Sequence, residues 1–314
     1  MTFYARLAAA SLILSAMGAA ACSPEAETPP PPAPATPPAV AAALHIHAFR
    51  IGRIEAVALR DGALKLPAAD ASMSPWTNTG EVAALLAGAG QTDGAIHLSI
   101  QPLLLRDGER RVLIDTGAGG RMGTEGRLQA SLAEAGVQAG QVTDILISHG
   151  HGDHVGGLVG ADGALAFPNA TIRMSKAEWA HLQAQDDMAA LVRAIAPKVQ
   201  VFDAGATVTP GVTAVALAGH TPGHMGYEIA SGTDRLLYMG DALHSSLISV
   251  QRPDWRNAWD DDSAAAIATR QGLLERGASG DLRIYGVHFP FPGLGRFQRR
   301  DDGFVWSPEN TAQP

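Results

Sequence analysis

Cysteine is almost missing: Cys22 is the only one in 314 residues. One thiol excludes an internal disulfide framework and any cysteine-built metal cluster. Basic residues are also few, with 23 Lys and Arg against 31 Asp and Glu, a formal charge of −8. That balance offers no broad electrostatic reason to hold nucleic acid, which favours basic surfaces. The uncharged stretch from Leu7 to Ala21 has fifteen residues, short of the about 20 that a spanning helix needs. What the chain does have is 46% hydrophobic residues, 35 glycines and 11 histidines. Its length suits one large domain or two small ones, either able to bury a substantial core.

The N-terminus reads apart from the rest. Arg6 supplies a positive charge ahead of the apolar run, and Ala19, Ala20 and Ala21 precede Cys22. This is the layout of a secretory signal over residues 1–21. It resembles the lipobox of bacterial lipoproteins, with Ala19 where Leu is usual, and implies acylation of Cys22 and an N-terminal lipid anchor. Ser23 after the cysteine favours the outer membrane, facing the periplasm. The alternative is an ordinary cut after Ala21, leaving Cys22 as a spare thiol. Residues 22–43 hold eight of the 20 prolines from Ser23 onward and read as an extended tether.

Residues 44–314 alternate apolar strands with Gly and Asp punctuation. Strands are expected at Arg53–Leu59, Ile96–Leu105, Val112–Ile114, Asp144–Ser148, Thr171–Met174, Val212–Leu217, Tyr227–Ile229, Leu236–Met239 and Leu282–Val287. Helices are expected at Arg127–Ala135, Lys176–Gln185 and Ser263–Arg276. Strands and helices mixed without a long linker indicate one α/β domain. The less regular Ala68–Gly94 is either a lid or an excursion over a pocket.

The chemistry sits in Ser148-His149-Gly150-His151-Gly152-Asp153-His154, where three imidazoles and a carboxylate fall within six residues after an apolar strand. Nitrogen and oxygen donors at that density suit a borderline divalent ion such as zinc. Three further apolar strands feed polar turns: Gly219-His220-Thr221-Pro222-Gly223-His224, Gly240-Asp241 and Gly286-Val287-His288.

The set resembles the metallo-β-lactamase superfamily of dinuclear hydrolases over nearly the whole chain after the tether. The resemblance implies a single-domain αββα sandwich with two divalent ions, most simply Zn2+, between its sheets. It implies that His149, His151 and His220 hold one ion, that Asp153, His154 and His288 hold the other, and that Asp241 bridges them. Asp115, in Ile114-Asp115-Thr116-Gly117, matches a strand-end motif and would orient a ligand histidine. Flavodiiron members carry a carboxylate where His151 stands, persulfide dioxygenases leave the second site unused, and class B β-lactamases lack the bridging aspartate. Glyoxalase II proteins share the His-Thr-Pro-Gly-His string but not the ending His288-Phe289-Pro290-Phe291-Pro292-Gly293. That ending, with Leu165–Ala170 and Ile114–Ala118, looks like methyl parathion hydrolases and related dinuclear lactonases.

The implied reaction is attack by a water activated between two ions about 3.5–4 Å apart on a lactone, aryl ester or phosphotriester. Asp241 would set the metal separation, and Asp153 would take up the proton of that water. The substrate is a small molecule; oligomeric state is open. Two other readings stand beside this one: a β-lactamase or thioester hydrolase on the same scaffold, and a metal-binding lipoprotein without catalysis. Among the remaining residues, His244 and Trp179 are candidate pocket residues. Tyr227 and His244 are conceivable proton donors. His224 is either a turn-stabilising residue or a catalytic one. Asp260-Asp261-Asp262 reads as a solvated helix start. Trp255 and Trp259 read as packing.

Overall fold

Period-two burial along the strands of the two main sheets divides their buried apolar side chains between a central layer and two outer ones. In the computed structural model, which describes residues 45–280 and 282–309, the chain up to Phe202 supplies nine strands. They are β1 (Ile46–Ile51), β2 (Ile54–Leu59), β3 (Gly62–Pro67), β4 (Ala95–Ile100), β5 (Leu103–Asp107), β6 (Arg110–Ile114), β7 (Asp144–Leu146), β8 (Thr171–Ser175) and β9 (Val199–Phe202). The chain after it supplies β10 (Thr207–Thr209), β11 (Val212–Ala216), β12 (Met225–Ser231), β13 (Asp234–Tyr238), β14 (Arg283–Tyr285), β15 (Leu294–Arg300) and β16 (Gly303–Pro308). The expected signal segment, Cys22 and the expected tether lie outside the described residues.

Two seven-stranded sheets result, ordered β1-β2-β5-β6-β7-β8-β9 and β10 to β16 in sequence, with β3-β4 as a separate two-stranded sheet. Side chains alternate across each strand. Ile54, Ala56 and Ala58 of β2 join Leu103, Leu105, Val112 and Ile114 in a core shared with Leu236 and Tyr238 of the second sheet. The intervening Val57, Leu59, Leu104 and Leu113 face outward and pack with Leu128, Leu132, Leu182 and Ile195. These last come from α2 (Leu128–Glu134), α4 (Lys176–Gln183) and α5 (Ala189–Ile195), which follow α1 (Thr79–Gly88) and are separated by the short α3 (Gly152–Val155). On the other side, Leu237 and Ile284 pack with Leu273 and Leu274 of α7 (Ser263–Ser279), which follows the single turn α6 (Ile248–Gln251). The layers are therefore αββα, as the family resemblance implied.

Two expectations change. Ile96–Leu105 is two strands, because Pro102 cannot donate to a ladder and the Gln101 side chain turns away to Gly286 O and Phe289 O at 2.7 and 2.9 Å. As a result β4 pairs with β3, while β5 enters the first sheet. The irregular Ala68–Gly94 contains α1 and is anchored by buried Trp76, which joins Leu98, Val82, Ile248 and Trp255 in a satellite cluster. Ala258 N–H donates to Pro75 O at 2.7 Å, tying that excursion to the loop before α7.

Candidate metal centre

Every candidate ligand lies just beyond the C-terminal end of a strand. Parallel pairing of β6, β7 and β8, and of β13 with β14, brings these ends to one edge of the sandwich. Asp115 follows β6 with φ of 60°, a left-handed conformation that aspartate tolerates better than most residues. His149, His151, Asp153 and His154 follow β7, His220 follows β11, Asp241 follows β13 and His288 follows β14. Gly219 has φ of 120° and packs its Cα against Ala266 of α7, where any side chain would collide; this presses the His220 turn onto that helix.

The structure brings the seven side chains together. His149 Nε2 lies 3.0 Å from His151 Nδ1, and His220 Nε2 lies 3.2 and 3.0 Å from those two atoms. An ion with bonds of about 2.0–2.1 Å to nitrogen would set tetrahedral edges of about 3.3 Å, close to that triangle. Asp153 Oδ2 lies 3.7 Å from His154 Nε2 and 3.5 Å from His288 Nε2, forming a second group. Asp241 reaches both: its Oδ2 is 3.5 Å from His220 Nε2 and 3.1 Å from His288 Nε2, and its Oδ1 is 3.2 Å from His154 Nε2.

Carboxylates stand behind several of these rings. Asp115 accepts from His154 Nδ1–H at 2.8 Å, from Ser148 N–H and Oγ–H at 2.7 and 2.6 Å, and from the Tyr238 hydroxyl at 2.7 Å. Asp260 accepts from His220 Nδ1–H at 3.1 Å and from Arg270 at 2.9 Å. This corrects the reading of Asp260-Asp261-Asp262 as a solvated run. Asp262 does cap α7, accepting from Ala264 and Ala265 N–H, but Asp260 is buried because Arg270, two helical turns on, neutralises it.

Glu178 was not singled out from the sequence. It is buried on α4 and accepts from Gly150 N–H, Thr221 Oγ–H and Gly223 N–H at 2.7, 2.7 and 3.0 Å, stapling the His149–His151 loop to the His220 turn. The only sequence hint was an acidic residue three positions after Ser175, whose hydroxyl caps the helix at 3.0 Å. His224 is a positioning group: its Nδ1–H donates to Leu217 O and its Nε2 accepts from Asp241 N–H, both at 2.9 Å. Burial holds its pKa down at about 4, so it stays the neutral acceptor this contact requires.

Burial, helped by nearby imidazoles, keeps His149 and His220 well below the ordinary imidazole range, so their lone pairs are free. Burial opposes ionisation of Asp241, but attraction to His288, His154 and His149 outweighs it and holds the carboxyl well below the usual range. His154 Nε2 and Asp241 Oδ1 are buried without a hydrogen-bond partner, an arrangement costly unless something else satisfies them. These donors fall into ligand-spaced groups, His149-His151-His220 and Asp153-His154-His288, with Asp241 grouped with His149 and His154. The site therefore fits a pair of divalent ions.

Above it opens a cavity of about 390 Å³ lined by Leu64, Met122, His151, Gly152, Asp153, Asp241, Ala258, Trp259 and Asp261. Trp179 is not among them. Helical rotation of about 100° per residue gives Glu178 the face toward the metal loops and turns Trp179 onto the outer cluster under α4. Trp259, expected to be packing, takes the place expected of Trp179 in the wall. Tyr227 is sealed in the core with its hydroxyl on Ile147 O at 2.6 Å, out of reach of a substrate. His244 is buried beside Asp241, its Nε2 3.3 Å from Asp241 Oδ2.

Solved structures resemble this one over most of its length. The dizinc quorum-quenching lactonase AidC, in complex with the product N-hexanoyl-L-homoserine, is 32% identical, with a TM-score of 0.79 over 84% of this chain and 97% of that one. Hydrolase AbOPH of the beta-lactamase superfamily is 28% identical, with a TM-score of 0.74 over 84% and 97%. A probable metal-dependent hydrolase from Staphylococcus aureus shares the fold at 20% identity and a TM-score of 0.68, over 82% and 99%. A search of curated proteins gives no match. The family model described as the metallo-beta-lactamase superfamily matches residues 98–300. That span exceeds half of the chain and takes in all seven donors from His149 to His288, and the protein belongs to this superfamily of metal-dependent hydrolases.

Proposed function

We propose that the protein hydrolyses lactones and related activated esters, extending to aryl esters and phosphotriesters, with a pair of zinc ions. The observation that carries this reading is the cavity itself: a polar floor of Asp153, Asp241 and His151 under a wall of Leu64, Met122, Ala258 and Trp259. Such a pocket suits a small substrate with an apolar arm and a polar reacting end. Its similarity to AidC, described as a dizinc lactonase, supports both the metal and the substrate class.

In this reading His149, His151 and His220 hold one ion, Asp153, His154 and His288 hold the other, and Asp241 serves both. When bound, the ions supply Lewis acidity, making water nucleophilic near neutral pH and polarising the substrate oxygen. Asp115, Asp260 and Glu178 fix the ligand loops, so little reorganisation is needed during reaction. Asp153 lines the cavity and in this reading takes up the proton of the attacking water. Leu64, Met122 and Trp259 hold the apolar arm and keep bulk water from it.

A panel of dihydrocoumarin, an acyl homoserine lactone, paraoxon, nitrocefin and a glutathione thioester tests the assignment. Turnover of the lactones is expected. Turnover of nitrocefin or the thioester alone would replace it with the β-lactamase or thioesterase reading, and a metal-replete protein inert to all five would favour a non-catalytic metal-binding lipoprotein. We also propose export and anchoring through acylated Cys22, supported by the apolar run and small residues ahead of it.

A further inference from the structure

His244 lies at ligand distance from the centre, grouped with His220 and Asp241, so spacing alone would make it an eighth ligand. The groups behind the rings argue otherwise. His154 Nδ1 faces the Asp115 carboxylate, His220 Nδ1 faces the Asp260 carboxylate, and His288 Nδ1 faces the Ser99 carbonyl at 2.7 Å. His149 Nδ1 faces Ser148 Oγ at 3.1 Å, and that hydroxyl spends its proton on Asp115. Each of these rings meets an acceptor behind it. Each must therefore carry its proton on Nδ1 and turn the Nε2 lone pair inward, as a metal ligand requires.

His244 meets a donor instead. Its Nδ1 is 3.2 Å from the amide nitrogen of buried Asn257. The orientation of that amide is fixed, because Asn257 Oδ1 accepts from Trp259 N–H at 2.9 Å. With an N–H behind it, Nδ1 must be the acceptor and the proton must sit on Nε2. The ring is further held by T-shaped contacts with Trp259 and His220 at 5.3 and 4.8 Å. Nε2 is buried with no hydrogen-bond partner, and the Asp241 carboxylate stands beside it, its Oδ2 3.3 Å away.

We infer that Asn257 locks His244 in the Nε2–H tautomer, so that it turns an N–H rather than a lone pair toward the shared Asp241 carboxylate and stays out of the metal ligand set. This rests on the dinuclear reading but on no particular substrate. His244 and Asn257 are thus positioning residues, and a single amide-to-carboxylate change should convert one role into the other. An Asp at 257 would accept from Nδ1–H and turn the Nε2 lone pair toward the ions.

Long-range 1H–15N correlation on the 15N-labelled, zinc-loaded enzyme reads this directly, with the His244 signals assigned by their loss in His244→Gln. In the unsubstituted protein Nε2 is expected to be the protonated nitrogen, and Asn257→Asp is expected to move the proton to Nδ1. A metal-bound Nε2 in the unsubstituted protein, or an unchanged tautomer in a folded Asn257→Asp, would overturn the inference. Should Asn257→Asp fail to fold, His244→Gln decides: two zinc equivalents retained supports a donor, and loss of an equivalent overturns it. His244→Phe should lower kcat about tenfold, the worth of one charge-assisted hydrogen bond, with KM little changed, and His244→Gln, which keeps an N–H, should recover most of it. Because tautomer and zinc content are read without substrate, their failure is distinct from a failure of the lactone panel.

Discussion

Asp241 is the residue on which both ligand groups converge, with contacts of 3.1–3.5 Å to His288, His154 and His220. Replacing it with Ala should abolish hydrolysis and lower bound metal from two equivalents toward one, read by elemental analysis. An Asp241→Ala protein with normal turnover would contradict the bridging role. Asp260 separates stability from chemistry more finely. Its pairing with Arg270 at 2.9 Å is buried, with both side chains only 1% exposed, while its other oxygen orients His220. Asp260→Ala leaves a buried guanidinium without its anion, a loss of about 3–5 kcal/mol visible as a lower urea midpoint. It also frees the His220 ring, which should weaken zinc affinity by about 10–100-fold. An unchanged zinc affinity in that variant would show that Asp260 serves Arg270 alone.

At the scale of elements, the metal loops were legible because their information is local. Strand, turn and donors in His149–His154 occupy neighbouring positions, and the later donors each follow a recognisable strand. Many strands were legible for the same reason, as short apolar runs between Gly and Asp, whereas their stacking into αββα layers came through the family resemblance. What was not legible came from pairings across the chain. The buried state of Asp260 depends on a guanidinium ten residues on along α7, and nothing in three consecutive aspartates reports it. Glu178 and Trp179 are adjacent on α4, and only the packing of that helix decides which faces the metal loops. Trp259 reaches the cavity because Ala258 is tied to Pro75 at 2.7 Å, a contact between segments far apart in sequence. Trp259→Ala should therefore raise KM several-fold for a lactone with a long acyl arm and leave a compact lactone such as dihydrocoumarin nearly unaffected. Equal losses for both would place the indole with the structural supports of His244 instead of with the substrate wall.

At the scale of the molecule, the two sheets place every donor at one edge, so activity depends on residues after 44 and not on how the chain is held in the cell. Among the described residues no helix is long and apolar enough to cross a membrane. The attachment proposed above acts through Cys22, the single thiol, at the start of a proline-rich segment that reads as an extended spacer. More than one acyl chain gives firm membrane binding, whereas a single chain holds only marginally; if Cys22 carries the proposed anchor, losing it should release the protein completely. Cys22→Ser is expected to move the protein from the membrane fraction to the soluble one while kcat and KM on the best lactone stay unchanged. If the variant still sediments with membranes, the anchor is something other than this cysteine.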